Sequence, residues 1–313
     1  VHKPLRKNGA GLMKISGFSF ARNAQKLYYP VAESIKSILP VCDEFIIAIG
    51  KGDDDDRTRE IVAEINDPRV RIIDTEWTDR EKLKGHIHGQ QTNIALKECS
   101  GDWCFYVQAD EVVHEKYLPV IQKRCEELLN DSEVEGLLFK YKHFWGDYDH
   151  YYVSHAWYPR EIRIIKNHLG IESWESAQSF RRNGQKIRVA NVDAEIFHYG
   201  WVRPPSLMYS KTKEMCTTHW GKKRADAAFA DEKKSFNYGS LERASLYKGT
   251  YPEVMKPWIA RMDWKDQLQY TGKSPVRHKH DRLKYRILTF LEQKVFGGRQ
   301  LGGFKNYILL KNK

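Results

Sequence analysis

What this 313-residue sequence is short of narrows its class before any motif is considered. Its five cysteines, Cys42, Cys99, Cys104, Cys125 and Cys216, are scattered, and no two form a close pair at zinc-site spacing. That excludes a zinc finger or a disulfide-stapled scaffold and leaves reduced, mostly buried thiols of the kind a cytosolic protein carries. No apolar run is long enough to span a bilayer, and no positively charged apolar leader is present. Met13 is the first natural-looking start, so residues 1–12 are expected to take no part in the fold. Carboxylates are outnumbered: 41 Asp and Glu face 52 Lys and Arg, for a formal charge of +11. The surplus favours anionic partners, whether nucleotide phosphates, nucleic acid or an acidic membrane surface, through an attraction that weakens in salt.

What is present suffices for a sizeable core, with 41% apolar residues, 9 Trp and 17 Tyr. Residues 14–20 read as a first strand. Leu27, Val31, Ile35 and Ile38, about one turn apart, read as a helix with Pro30 early in it or interrupting it and Pro40 at its end. The pattern then predicts a buried strand at 45–49, a helix at 58–65, a strand at 70–73 and a helix at 90–99 that Gly101 closes. An amphipathic helix at 117–129 and a strand beginning at 136–139 follow. Strands alternating with helices predict an α/β fold, a single Rossmann-like, mostly parallel sheet with flanking helices. Further on, 161–165 reads as a strand, 187–189 and 194–197 as two more short ones, and the chain from 204 onward as helical and basic. The expected division is a catalytic core over 13–200 and a basic helical appendage over 201–313.

The chemistry gathers around one abrupt change of character. The apolar run Trp103-Cys104-Phe105-Tyr106-Val107-Gln108-Ala109 stops at Asp110 and Glu111. A buried strand that ends in carboxylates sets them at the rim of the sheet, where open α/β folds bind ligands. There an oxygen donor can hold a divalent cation, and the cation a diphosphate. The acidic run Asp53-Asp54-Asp55-Asp56 suits a turn facing a ligand or plain capping, with Asp56 accepting from free backbone N–H groups. His86 and His88 lie ahead of a helix without the soft ligands that a zinc site needs.

Three pieces in order carry a likeness: Ile15-Ser16-Gly17-Phe18 with Asn23, then Gly52 through Thr58, then Gly101-Asp102-Trp103 through Asp110-Glu111. They resemble the inverting GT-A glycosyltransferases of family 2, of the bacterial cell-envelope polysaccharide type. The likeness is carried by residues 13–111 and extends more weakly to about 200. Gln108 stands where that family has its first metal-motif aspartate, Ile49-Gly50-Lys51 lacks the acid that follows its second strand, and Thr92-Asn93 replaces its Arg-Asn pair.

The resemblance implies a GT-A-like fold and inverting transfer of a sugar from a nucleotide-sugar donor to a saccharide or lipid-linked hydroxyl, with UDP as the first carrier to test. It implies Mn²⁺ or Mg²⁺ held by Asp110 and by His198, a late histidine after the 194–197 strand. Donor contacts fall to Gly17, Asn23, Asp56, Asn93, Gln108 and Asp110. The general base is expected in a polar loop over 170–176, Glu175 first and Glu172 in reserve, with Trp174 as an apolar floor for the sugar. Lys211 and Lys213 reach the diphosphate if their helix folds back, and are otherwise surface lysines.

The stretch from Arg277 to Lys313 mixes basic residues with Leu283, Ile287, Leu288, Phe290 and Leu291. It suits an anionic membrane face, or packing on the core with its charges outward. The expected location is therefore cytoplasmic, with a peripheral position at the inner face of the cell membrane as one option. Two rivals stay open. A metal-dependent nucleotidyltransferase would release pyrophosphate. A non-enzymatic nucleic-acid-binding protein would use the charge and the aromatics, although the basic residues are dispersed and no binding motif is present.

Overall fold

The computed structural model describes residues 13–78, 85–230, 235–311 and 313. Its first half is a parallel unit. Strands β1 (Ile15–Ala21), β2 (Glu44–Gly50), β3 (Val70–Thr75) and β4 (Trp103–Tyr106) pair in the order β3-β2-β1-β4, all parallel. The apolar runs of β2 and β4 are buried on both faces, as inner parallel strands require, whereas β3 at the edge is only partly buried and exposes Arg71 and Asp74.

Helix α1 (Val31–Ile38) follows β1 and buries Val31, Ile35 and Ile38. Pro30 sits just ahead of it rather than inside, which leaves Leu27 in the preceding turn. Helices α2 (Thr58–Ala63) and α3 (His86–Lys97) make the next two crossovers, and α3 begins earlier than its apolar pattern suggests. A short strand β5 (Glu111–Val113) and helix α4 (Leu118–Leu128) follow.

Beyond α4 the sheet becomes mixed, so its mostly parallel character is confined to the first half. Strand β6 (Gly136–Trp145) runs antiparallel to β7 (His150–Tyr152) and to β8 (Arg160–Lys166), and β8 runs antiparallel to β4. The expected loop at 170–176 is in part strand. Strand β9 (Ile171–Trp174) pairs with β10 (Ser179–Arg182), which pairs with β11 (Gln185–Lys186) in a separate three-stranded sheet. Ile171 and Ser173 point in while Glu172 and Trp174 point out, a period of two hidden among polar residues.

The two short strands expected near 187 and 194 are one strand, β12 (Arg188–Trp201), parallel to β6. Its register shifts between Asn191 and Glu195, so the polar Asn191 and Asp193 mark a bulge inside a strand rather than a gap between two. Strand β12 also pairs antiparallel with β5, setting His198 opposite Glu111. That pairing brings the end of β4 and the late histidine together.

After β12 come helices α5 (Pro205–Trp220) and α6 (Lys222–Ala228), the two-residue strand β13 (Ser245–Leu246), a single turn α7 (Lys256–Ile259) and helix α8 (Leu283–Phe290). Strand β14 (Ile308–Leu309) then adds to the start of β12. Tyr238, Leu241, Met255 and Trp264 from this part form one buried cluster with Phe144, Trp145, Phe197 and Tyr199 of the sheet. Among the described residues no helix is long and apolar enough to cross a membrane.

Candidate active site

The turn after β4 is fixed around a fully buried ion pair. Arg163 of β8 grips Glu111 through two bonds of 2.7 Å, and both side chains are fully buried. The Tyr141 hydroxyl donates to the same carboxylate at 2.7 Å, and the Gln108 backbone N–H at 3.1 Å. From the other side, Ser34 of α1 donates to the Gln108 carbonyl at 2.8 Å, and Ser37 accepts from Val113 N–H at 3.1 Å. A forked guanidinium–carboxylate pair sets orientation as well as energy, and removing one member of such a buried pair costs roughly 3–5 kcal/mol.

On this frame the Asp110 Oδ2 lies 3.8 Å from His198 Nε2 and 3.6 Å from Lys211 Nζ. The tautomer of His198 follows from a relay. His143 Nε2 is 2.8 Å from the Tyr158 carbonyl, which only accepts, so that nitrogen carries the proton. His143 Nδ1 then accepts, at 3.0 Å, from His198 Nδ1–H. Burial pushes both imidazoles down, His143 to about 3 and His198 to about 4, so both are neutral. His198 therefore presents a bare Nε2 lone pair beside Asp110. A Cβ on Gly200 would stand 2.5 Å from that nitrogen and 2.8 Å from Asp110 Oδ2, so glycine leaves the gap between them open.

Burial works to raise the Asp110 carboxyl, but neighbouring positive charge, from Lys211 and Arg203 among others, outweighs burial and holds it below its ordinary value. Lys211 is brought down to about 7 by burial and by the nearby Arg203, against the pull of Asp110.

Asp110, Gln108 and Lys211 line a cleft of about 260 Å³ at the carboxyl ends of β1 and β4. Arg22, Phe20, Trp77, His88, Glu214 and His219 complete much of its wall. Trp77 packs against Phe20 and His88, with the Arg22 guanidinium 5.7 Å from its ring centre, and its indole N–H is buried without a partner among the described residues. Arg22 is paired with Glu214 at 3.1 Å and Asp53 at 3.3 Å.

The other residues singled out from sequence are placed differently. Gly17 lies within β1, where a Cβ would run into Phe45 and Cys42, so its bareness serves packing away from the cleft lining. Asn23 adopts φ 53° and accepts from Asp53 N–H at 2.8 Å, fastening the acidic turn. Asp56 accepts from the Thr58 N–H and hydroxyl and from Lys26 N–H, and borders a separate hollow of about 490 Å³ at the ends of β2 and β3. Asn93 brackets Ser173, accepting from its N–H at 2.7 Å and donating to its carbonyl at 3.4 Å, which ties α3 to β9. Gln108 donates from Nε2 to the Ala177 carbonyl at 3.0 Å. Glu172 is exposed on β9, and Glu175 is exposed at φ 47° on the turn whose next residue, Ser176, borders the cleft.

Arg22, Trp77, Glu214 and His219 were not singled out by sequence. For two of them a signal existed: Lys211, Glu214, Met215, Thr218 and His219 recur at helical spacing on α5, and all five line the cleft.

Among the described residues no three His, Cys, Asp or Glu side chains converge as metal ligands. Two donors do fit a divalent cation, the Asp110 carboxylate and the His198 lone pair across the gap that Gly200 keeps open. A cation of this kind commonly takes its remaining positions from substrate phosphates and water.

Among solved structures, the chain is similar to TarS from S. aureus (17% identity over 70% of each chain, TM-score 0.38). It is similar to the same protein in complex with UDP (17%, 70% of each chain, TM-score 0.39). It is also similar to glucosyl-3-phosphoglycerate synthase from Mycobacterium tuberculosis in complex with Mn²⁺, UDP and phosphoglyceric acid (21%, 44% of each chain, TM-score 0.29). No curated protein matches the sequence. The model of glycosyl transferase family 2 matches residues 23–188, more than half of the chain and the stretch that contains β2 to β11 and the Asp110 turn. With its GT-A-like sheet and that site at the end of β4, the chain belongs to glycosyl transferase family 2, whose members use nucleotide sugars.

Proposed function

We propose that the chain transfers the sugar of a UDP-linked donor, with inversion, to a saccharide or lipid-linked hydroxyl. One observation carries this reading: Asp110, neutral His198 and Lys211 converge at the end of β4, where the cleft opens. Asp110 Oδ2 and His198 Nε2 are the atoms that would hold Mn²⁺ or Mg²⁺, and the cation would supply positive charge to the departing diphosphate. The Trp77, Phe20 and His88 wall offers flat apolar surface to a nucleobase. Asn23 and Asp56 act on the donor indirectly, by shaping the turn from which Asp53 meets Arg22.

The acceptor oxygen attacks the anomeric carbon as its bond to the phosphate oxygen breaks, and the acceptor proton passes to a carboxylate. We assign that role to Glu175, with Glu172 in reserve. Its support is a turn beside the cleft that holds two residues at positive φ, Glu175 at 47° and Ala177 at 60°, a strain that backbones store where function needs it. Glu214, inside the cleft but paired to Arg22, is the carboxylate against which this assignment is to be measured.

The exposed face of α8 and the turns after it suit an anionic membrane surface. Leu283, Ile287 and Phe290 point outward at 66%, 51% and 61% exposure, and Arg282, Lys284 and Arg286 lie among them. A catalytic unit working on a lipid-linked acceptor would be held at that surface.

The test is thermal melting with a panel of nucleotide sugars, with Mn²⁺ and Mg²⁺. One donor should raise the melting temperature by about 5 °C near a hundredfold excess over its dissociation constant. Asp110→Asn should remove the part of that shift that depends on Mn²⁺ or Mg²⁺. No protection by any activated sugar would overturn the proposal.

A further inference from the structure

We infer that Lys211 is a catalytic residue, a resident counter-charge that holds the donor's diphosphate and leaves the site less dependent on a divalent cation. This rests on the reading of the cleft as a nucleotide-sugar site.

Lys211 is not a surface lysine. Its side chain is 12% exposed, and its ammonium donates to the Gly200 carbonyl and stands over the rings of Tyr29 at 5.3 Å and Trp201 at 5.4 Å. Nζ is 3.6 Å from Asp110 Oδ2, and the residue lines the cleft. An ammonium has three donors, and the Gly200 carbonyl takes one. Lys213, two residues on, shows the contrast: it is 41% exposed and bonded to Asp226 at 2.8 Å.

The charge around Asp110 makes sense only with an anion added. Arg203, fully buried, donates to the same Gly200 carbonyl at 3.3 Å, so a second basic side chain stands near Asp110. Gln108, at the turn where a second carboxylate would add negative charge, is neutral. Arg22 and Glu214 cancel one another. With Lys211 protonated beside Arg203, the immediate surroundings of Asp110 are net positive. A site meant to gather a divalent cation by itself would carry the opposite excess, and a buried charge without a full complement is costly. A diphosphate supplies that complement.

In the transfer, the bond between the anomeric carbon and the β-phosphate oxygen breaks with its electron pair going to the oxygen. Lys211 N–H groups stabilise the charge that develops there. The acceptor's proton goes to the general base, and Lys211 neither gains nor loses one. Fixed donors aimed at developing charge are among the strongest sources of rate enhancement in enzymes.

The experiment is calorimetric titration with UDP, in chelator and in Mn²⁺, of the wild-type chain and of Lys211→Met, Lys211→Arg and Lys213→Met. The wild type should keep UDP binding in chelator. Lys211→Met should weaken it there about tenfold or more, Lys211→Arg should restore most of it, and Lys213→Met should leave it unchanged. Lys211→Gln takes the place of Lys211→Met if the latter does not fold. Wild-type binding that vanishes in chelator but is strong in Mn²⁺, or a neutral variant that binds as the wild type does, overturns the inference while the donor reading stands. Failure to bind UDP in either buffer overturns the donor reading, and this inference with it.

Discussion

At Gly200 the difference between a hydrogen and a methyl group decides whether Asp110 and His198 can share a ligand, because a Cβ would fill the space between them. Gly200→Ala should therefore lower turnover by about two orders of magnitude and remove any response to added Mn²⁺, read by initial rates across a metal titration. Unchanged metal dependence would place the cation elsewhere. The base is tested at the same scale. Glu175→Gln should bind donor normally and transfer slowly, whereas Glu214→Gln should chiefly change donor affinity, because it leaves Arg22 paired with Asp53 alone. A fully active Glu175→Gln beside an inactive Glu214→Gln moves the base to α5. Asp110 and His198 are legible in sequence because each follows a buried apolar run, although His198 lies inside β12 rather than at its end. Lys211 is legible only on the condition that its helix fold back, and Arg22 and Trp77 carry no mark in sequence that sets them apart from other surface-prone residues. The roles of Asn23, Asp56 and Asn93 are contacts between segments distant in sequence, and such contacts leave no local pattern.

Elements are unevenly legible, for reasons that lie in their neighbours. The strands β1 to β4 show themselves because burial on both faces demands continuous apolar runs. Strand β12 reads as two because a bulge admits Asn191 and Asp193 without ending the pairing. Strand β9 passes for a loop because its inward positions hold a serine as well as an isoleucine. Helix α5 shows one sequence stripe serving the site rather than the core. Helix α8 shows another serving neither, since its outward residues are Leu283, Ile287 and Phe290. Sedimentation with vesicles checks its role: the chain should bind vesicles rich in anionic lipid and ignore neutral ones, and serine at those three positions should abolish binding with the melting temperature retained. Equal binding to neutral vesicles, or no effect of the serines, would return α8 to a plain surface helix.

At the scale of the whole molecule, burial of histidine gives the fold a pH dependence. His88 and His280 are each lowered to about 4 by burial. Their unfolded counterparts titrate near 6.5, so between about 6.5 and 4 the unfolded chain binds protons that the folded chain refuses. Their contribution to stability is full above about pH 6.5 and is lost as the pH falls toward 4. Melting temperature should decline across that window, and His88→Phe should flatten part of the decline; a slope unaffected by the substitution would contradict the assignment. The sequence's excess of 11 positive charges has a more specific reading at this scale than a general taste for anions. Some of it is local, at Arg203 and Lys211 beside Asp110, where the first half of the chain meets β12 and α5. That meeting depends on the β5–β12 pairing, a contact between distant segments that leaves no local pattern in the sequence.

The most direct measurement is a crystal structure with UDP and Mn²⁺, with the metal located by its anomalous scattering. The expected map has the diphosphate in the cleft at the end of β4 within hydrogen-bond reach of Lys211, and any manganese between Asp110 Oδ2 and His198 Nε2. Ordered UDP in the larger hollow beyond β2 and β3, with nothing bound near Asp110, would contradict it.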